Sequence, residues 1–544
     1  MNTPALITSV DQLVAGYASD VQRSGPVLPL SHLIGRLRDS GSEPLFWARV
    51  GDAMMRAGFA EPASAVISAG MQQHPDNAEL HYARGNALRI GQRFEEAEAD
   101  FRAALGLAPT HRNAALSLAY MLREQGRVKA AADVLLAAGR ENAGDSQFVL
   151  SLLEFLRDSG AHAQARSLAE VARHRSPDNA RLAAIAGELA LALGDFGTAR
   201  GLLRSATRLD PAGQSSAWLR LSYCGPCSGP DDPDLAALRG AWTDAALPVA
   251  ARACAGFGAA KLLDDLDECA EAAAILRDAN ALARADKPWN GAAWSASIER
   301  QFAQAAPPSL NALPGFRPVF VVGLPRSGTT LVATRLALLD GVRDRGELNW
   351  IAGMYQHVAA QNALGKRDAL ESVQNLIAVQ MRRDDAPARC YVDKNPLNFR
   401  YLNLIFALFP NARVIHCRRG ARDTALSLYA QHFAHPDLGF SYDFATIARV
   451  MADHARLMAH WRAKLPAPQI ADVVYEDFVA APDAELERIA RFIDAPPARV
   501  AKESGSDVIT TASVWQARQP IHAKAVGRWQ RYADYLPELT TLFS

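Results

Sequence analysis

Small apolar residues recur along the first half of the chain with a fixed period. Ala63, Ala97, Ala131, Ala165 and Ala199 stand 34 residues apart. Twelve positions before them come Gly51, Gly85, Ala119, Leu153 and Gly187, and seven after them Gly70, Ala104, Ala138, Ala172 and Ala206. Pro75, Pro109, Ala143, Pro177 and Pro211 follow at twelve. Small side chains at these offsets predict two closely touching helices per repeat, and the proline predicts where the second helix ends. The repeats run over 44–77, 78–111, 112–145, 146–179 and 180–213. Residues 1–43 read as an N-terminal helical cap. Residues 214–303 read as a degenerate helical repeat region, with Gly258 and Ala270 again twelve apart in a pair near 251–285. Stacked pairs of this kind predict an α-solenoid with a concave face.

The pattern changes after "QAAPPSLNALPGFRP" (304–318), which has four prolines and no helical period. Residues 304–317 are expected to be a linker and 318–544 a second domain. There, short β-branched runs at 318–323, 390–394, 412–417 and 470–475 alternate with helical stretches at 329–340, 397–409, 421–434, 441–465 and 482–494. That alternation predicts an α/β fold with a parallel sheet covered on both faces. Ligands of such sheets bind beyond the carboxyl ends of the strands.

Charge adds a constraint. Lysine plus arginine and aspartate plus glutamate are 58 each. A balanced chain lacks the basic footprint of nucleic-acid binding, so any polyanion must meet a local cluster. No run approaches 18 apolar residues, so no membrane span is expected. The N-terminus carries no basic-then-apolar leader. Six cysteines are sparse, and a cytoplasmic chain with reduced thiols is expected. Cys224 and Cys227 form a C-x-x-C, but helical sequence precedes it and a Gly/Pro loop follows. A redox motif needs a strand before and a helix after, so these read as incidental thiols.

The most informative stretch is "VVGLPRSGTTL" (321–331). Gly323 and Gly328 have the spacing of a phosphate-binding loop, yet Thr329 stands where the Walker lysine would reach a γ-phosphate. Backbone N–H groups and a helix N-terminus still favour an anion there. Arg326 adds a permanently charged fork. A second basic motif, "ARVIHCRRGARDTALSLY", is a strand ending in arginines and then a helix. Arg419 and Ser427, eight residues on, would converge on another phosphate. Two anion sites at strand ends predict a nucleotide with phosphates at both ends of its ribose.

These motifs together resemble the sulfotransferases that use 3′-phosphoadenosine-5′-phosphosulfate (PAPS), with the tyrosylprotein branch nearest. The first half matches tetratricopeptide repeats, a fusion similar to bacterial tetratricopeptide-repeat sulfotransferases. The resemblance implies that Arg326, Ser327, Gly328, Thr329 and Thr330 hold the 5′-phosphosulfate and that Arg419 and Ser427 hold the 3′-phosphate. It implies that Tyr475 of "VVYEDF" lies by the adenine. It also implies that Ser513 lies near the phosphosulfate and Arg528 near the 3′-phosphate. Glu347, 21 residues after Arg326, falls where the chain should return to the top of the sheet; the resemblance makes it the base. Lys394 ends a predicted strand and matches the lysine that stabilises the leaving oxygen. Asn395 departs from an aspartate often found in the tyrosylprotein enzymes. His416, inside a predicted strand, reads as a core residue. His432 is a rival base on the helix after the second motif.

The reading is therefore a PAPS-dependent transferase acting on a hydroxyl acceptor, with protein tyrosine one candidate. Its repeats would bind a peptide or protein. No metal is expected, because arginine and lysine would supply the positive charge. Two alternatives stay open: a degenerate P-loop kinase with Glu476 or Asp477 on Mg²⁺, and a repeat scaffold whose transferase domain is inactive.

Overall fold

The computed structural model describes residues 9–384, 387–433, 435–496 and 521–543. It forms two compact units, divided between Arg175 and Ser176. In the first unit, Val10–Ser24 and Val27–Asp39 precede four helix pairs: Pro44–Arg56 with Ala60–Gln73, Ala78–Ile90 with Phe94–Leu107, Arg112–Glu124 with Val128–Glu141, and Ser146–Asp158 with His162–Arg175. A fifth pair, Ala180–Ala192 with Phe196–Leu209, opens the second unit. Each pair turns in three residues, which makes its helices antiparallel.

The 34-residue period has a packing cause. The five alanines from Ala63 to Ala199 are fully buried. A Cβ on Gly85 would stand 2.7 Å from the Phe101 ring, and one on Gly187 would stand 2.9 Å from Leu203. The helices touch where side chains are absent. Capping repeats with the same period. Asn77, His111, Asp145 and Asn179 each accept the backbone N–H three residues on, at 3.0–3.1 Å. The middle turn residue is left-handed each time: Gly58, Gln92, Gly126, Gly160 and Gly194, with φ between 60° and 87°.

The second unit continues with Ser215–Leu221, Pro233–Thr243, Val249–Asp265, Cys269–Asp286 and Gly291–Ala303. A five-stranded sheet follows, in the order β2-β3-β1-β4-β5. The strands are β1 (Pro318–Gly323), β2 (Val342–Asp344), β3 (Cys390–Asp393), β4 (Arg413–Arg418) and β5 (Ile470–Val474), and every pairing is parallel. β1 is buried along its whole length. Val319 and Val321 pack on one face with Val332 of the helix Thr329–Leu336 and Ile489. Phe320 and Val322 pack on the other with Leu402, Leu426 and Leu457. That second cluster also runs through Trp218, Phe257, Leu276, Phe316 and Tyr532. Residues 304–317 are irregular chain, and one apolar core continues across them.

Four strands lie where the apolar runs predict them. β2 goes unread because three residues with one buried position carry no alternation. The helix expected over 421–434 ends at Tyr429, where Gln431 turns its amide onto the Tyr223 hydroxyl. The stretch 397–409 starts as a 3₁₀ turn, Pro396–Tyr401, before Leu402–Leu408. Among the described residues, no helix is long and apolar enough to cross a membrane.

Candidate active site

β1 is central, and the chain crosses to opposite sides of it before and after β3, so its carboxyl end lies at the crevice where strand order reverses. Gly323 ends β1 at φ 148°, and a Cβ there would stand 2.5 Å from the Cys417 carbonyl oxygen of β4. Only glycine lets the loop leave the sheet so close to its neighbour. Arg326 and Gly328 take left-handed φ values of 72° and 95°. The loop thereby delivers Thr329, which is buried, and Thr330 to the first turn of an eight-residue helix. Among the described residues the buried Ser327 hydroxyl has no hydrogen-bond partner. An unmade bond there costs about 1–3 kcal/mol.

Arg326 and Arg419 meet at this point. The Arg326 Nε donates to the Ser427 hydroxyl at 2.9 Å, and Arg419 Nη1 donates to the Arg326 carbonyl at 3.2 Å. The buried Arg419 Nε has no partner among the described residues, and the guanidinium lies 4.6 Å from the centre of the Tyr475 ring. Tyr475 in turn lies against Gly328, whose added Cβ would be 2.8 Å from its ring. Burial first, then repulsion from Arg419, holds Arg326 down at about 10. Arg419 is lowered as well, by burial first, with Arg528 adding repulsion. Cations crowded this way in a neutral chain form a site that gains from an anion.

Glu347 and Lys394 form an ion pair across the ends of β2 and β3. The lysine is 3% exposed, while the Glu347 side chain is 49% exposed. The cation thus faces the sheet and the carboxylate faces solvent. The intervening loop is pinned to β3: the Leu348 N–H donates to Asp393 Oδ1 at 3.2 Å and the Lys394 N–H to the Gly346 carbonyl at 2.8 Å. Asp393 also accepts from Asn398 at 2.9 Å, and burial raises its carboxyl to about 8. Asp344 accepts the Gly346 N–H at 2.9 Å. Asn395 donates to the Leu348 carbonyl at 2.9 Å, holding the same loop.

Arg528 follows Gly527 in the closing segment. It pairs with Asp264 of the helix Val249–Asp265 at 2.9 Å. Asp423, on the helix that carries Ser427, accepts the Gly527 and Trp529 N–H groups at 2.7 and 2.9 Å. Arg326, Arg419, Ser427 and Tyr475 are thus brought together; Arg528 follows three residues after Ala525, whose carbonyl accepts from Arg419 Nη2 at 2.5 Å, and Glu347 joins Lys394 on the adjacent strands. Ser513 lies outside the described residues. Asp393, Asp423 and Asp264 escaped the sequence reading. An acid beside Lys394 at a strand end was the one available signal, and the other two act through distant partners.

The remaining candidates have other surroundings. His416 is buried in β4, 2.8 Å from Asp472 and 3.1 Å from His454, a satisfied core residue. His432 lies beyond the helix end, not on it. It packs edge-on against Phe257 at 5.4 Å, and burial lowers it to about 4. Cys224 and Cys227 are free thiols, and burial raises Cys224 to about 12. Among the described residues no three His, Cys, Asp or Glu side chains gather as a metal site requires.

Residues 318–498 match the model of the sulfotransferase family. Residues 51–112 and 82–146 match a tetratricopeptide-repeat model. An uncharacterized protein of Aquifex aeolicus is 32% identical over 54% of this chain and 41% of its own length. A protein-tyrosine sulfotransferase of Drosophila melanogaster is 23% identical over 33% of this chain and 38% of its own. The chain therefore spans about two fifths of the length of each of these relatives. Among solved structures, the sulfotransferase domain of the Synechococcus PCC 7002 olefin synthase aligns over 44% of this chain and 97% of that one, with 19% identity and a TM-score of 0.32. Residues 318–498 form a domain of the sulfotransferase family, and tetratricopeptide repeats precede it.

Proposed function

We propose that this domain transfers the sulfuryl group of PAPS to a hydroxyl acceptor. One observation carries the reading: Arg326 and Arg419 meet at the ends of β1 and β4, beside the Glu347–Lys394 pair at the ends of β2 and β3. The residues fit such a cosubstrate. The Ser327 hydroxyl and Arg419 Nε, without partners among the described residues, are donors, and the bare backbone of Gly328 lets the Tyr475 ring lie close against the loop. Arg326, Ser327, Gly328, Thr329 and Thr330 would hold the 5′-phosphosulfate. Arg419, Ser427 and Arg528 would hold the 3′-phosphate, with Tyr475 beside the adenine.

PAPS supplies the sulfuryl group, with adenosine 3′,5′-bisphosphate as leaving group. The Glu347 carboxylate, on the solvent side, takes the acceptor's hydroxyl proton as the new S–O bond forms. Lys394, on the buried side, neutralises charge on the leaving oxygen, and Arg326 orients the sulfonate. Their ion pair would keep both groups at the point of use. The protein-tyrosine sulfotransferase of Drosophila makes tyrosine the first acceptor to try. The repeats of the first unit would bind a peptide or protein.

A kinase reading is less well supported, because the Glu476 carboxylate already accepts the Gly420 N–H at 3.0 Å and so caps a helix. Incubation with ³⁵S-labelled PAPS, with and without EDTA, tests the proposal. Label should move to protein, glycan or small molecule in both conditions. Tight binding of ATP with none of adenosine 3′,5′-bisphosphate, or a strict Mg²⁺ requirement, would refute it.

A further inference from the structure

The closing segment is gripped from two sides. Asp423 holds its backbone through Gly527 and Trp529. Asp264, at the end of a helix that precedes the sheet, holds its side chains. Arg528 Nη2 stands 2.9 Å from Asp264 Oδ2, and Nε donates to Oδ1 at 3.3 Å. The Tyr532 hydroxyl donates to the same carboxylate at 2.8 Å, and Arg531 donates to the Asp264 carbonyl at 3.2 Å. The carboxylate thus occupies the Nε/Nη2 edge of the planar Arg528 fork.

The placing of that fork matters because its segment adjoins the anion site: Arg419 Nη2 donates to the Ala525 carbonyl at 2.5 Å, three residues before Arg528, and Asp423 of the Ser427 helix holds Gly527 and Trp529 on either side of it. An untethered arginine facing two others would swing toward solvent; a carboxylate behind it keeps it in place. The helical region reaches the site at a second point, where the Tyr223 hydroxyl accepts from Gln431 at 2.5 Å and lies in the field of Arg326. One apolar cluster joins Phe257 and Leu276 to Phe320 and Tyr532, so these helices and the sheet share a core.

We propose that Asp264 is a positioning residue of the cosubstrate site: it aims Arg528 at the 3′-phosphate. The helical pair Val249–Asp265 and Cys269–Asp286 thereby sets the preference for a bis-phosphorylated over a mono-phosphorylated nucleotide. This rests on the PAPS reading above.

The test is calorimetric titration of the full chain, wild type and Asp264→Asn, with adenosine 3′,5′-bisphosphate and with adenosine 5′-monophosphate. The variant should lose about tenfold in affinity for the bisphosphate and less than twofold for the monophosphate, a difference of about 1.0–1.4 kcal/mol. Equal loss for both nucleotides, or no loss, overturns the proposal. Tyr532→Phe removes another bond to the same carboxylate and should leave the preference within twofold. A fall matching that of Asp264→Asn would make Asp264 an anchor only. If Asp264→Asn does not fold, Asp264→Glu keeps the charge and shifts it by one methylene. Its preference should fall at least threefold at an unchanged melting temperature, and an unchanged preference overturns the idea. A wild-type chain that does not favour the bisphosphate refutes the PAPS reading itself, an outcome distinct from all of these.

Discussion

Gly323 and Gly328 flank the anion loop, and replacing each with alanine should have different consequences. At Gly328, φ is 95° and the new Cβ would stand 2.8 Å from Tyr475 Cδ2. The left-handed backbone costs an alanine about 1–2 kcal/mol, which appears as lost stability. The clash is with a side chain, so Tyr475 can shift. That shift takes the ring from under Arg419, now 4.6 Å from its centre. A stack of this kind is worth about 0.5–2 kcal/mol, so affinity for adenosine 3′,5′-bisphosphate should fall about two- to thirtyfold. At Gly323 the neighbour is the Cys417 carbonyl oxygen at 2.5 Å, which belongs to the sheet and cannot yield. Gly323→Ala should therefore deplete folded protein, whereas Gly328→Ala should stay folded and bind poorly. Calorimetric titration and circular-dichroism melts on both variants separate the two effects. A Gly328→Ala chain that binds as tightly as wild type would refute the placement of Tyr475 and Arg419 in the nucleotide site. A harmless Gly323→Ala would refute the close approach of β1 and β4.

Glu347→Ala should lower kcat by about 10²–10⁴-fold while nucleotide affinity holds, measured by label transfer and titration; unchanged turnover would remove its role as base. Asp393 carries a pH signature. Its folded carboxyl sits near 8, above its unfolded value of about 4, so its contribution to stability is complete below about pH 4 and is lost as pH rises toward 8. Asp393→Asn should flatten the fall in urea midpoint between pH 5 and pH 8, and an identical slope in both proteins would contradict it. In the repeats, Gly85→Ala would set a Cβ 2.7 Å from the Phe101 ring and should destabilise by about 1–3 kcal/mol in thermal or urea melts.

The parts legible in the sequence are those with local cause. The buried alanines at 34-residue spacing and the β1 loop each carry their pattern within a few dozen residues. β2 offered only Val342 as a buried position and could not be read. The left-handed turn at Gly58, Gly126, Gly160 and Gly194 was a periodic signal that went unused, obscured by Gln92 in the second repeat. Around the site, Arg326, Arg419, Glu347 and Lys394 stand out by motif. Asp264 does not, because its partner Arg528 is 264 positions away and its neighbours form an ordinary helix. Asp423 likewise acts on backbone groups more than a hundred residues downstream.

The apolar core that runs unbroken through the proline-rich stretch bears on how the molecule can be trimmed. A shortened polypeptide starting near Pro318 would strip Phe257, Leu276 and Trp294 from the core they share with the second domain and leave greasy surface open to water. Starting at Ser176 instead retains every one of those partners.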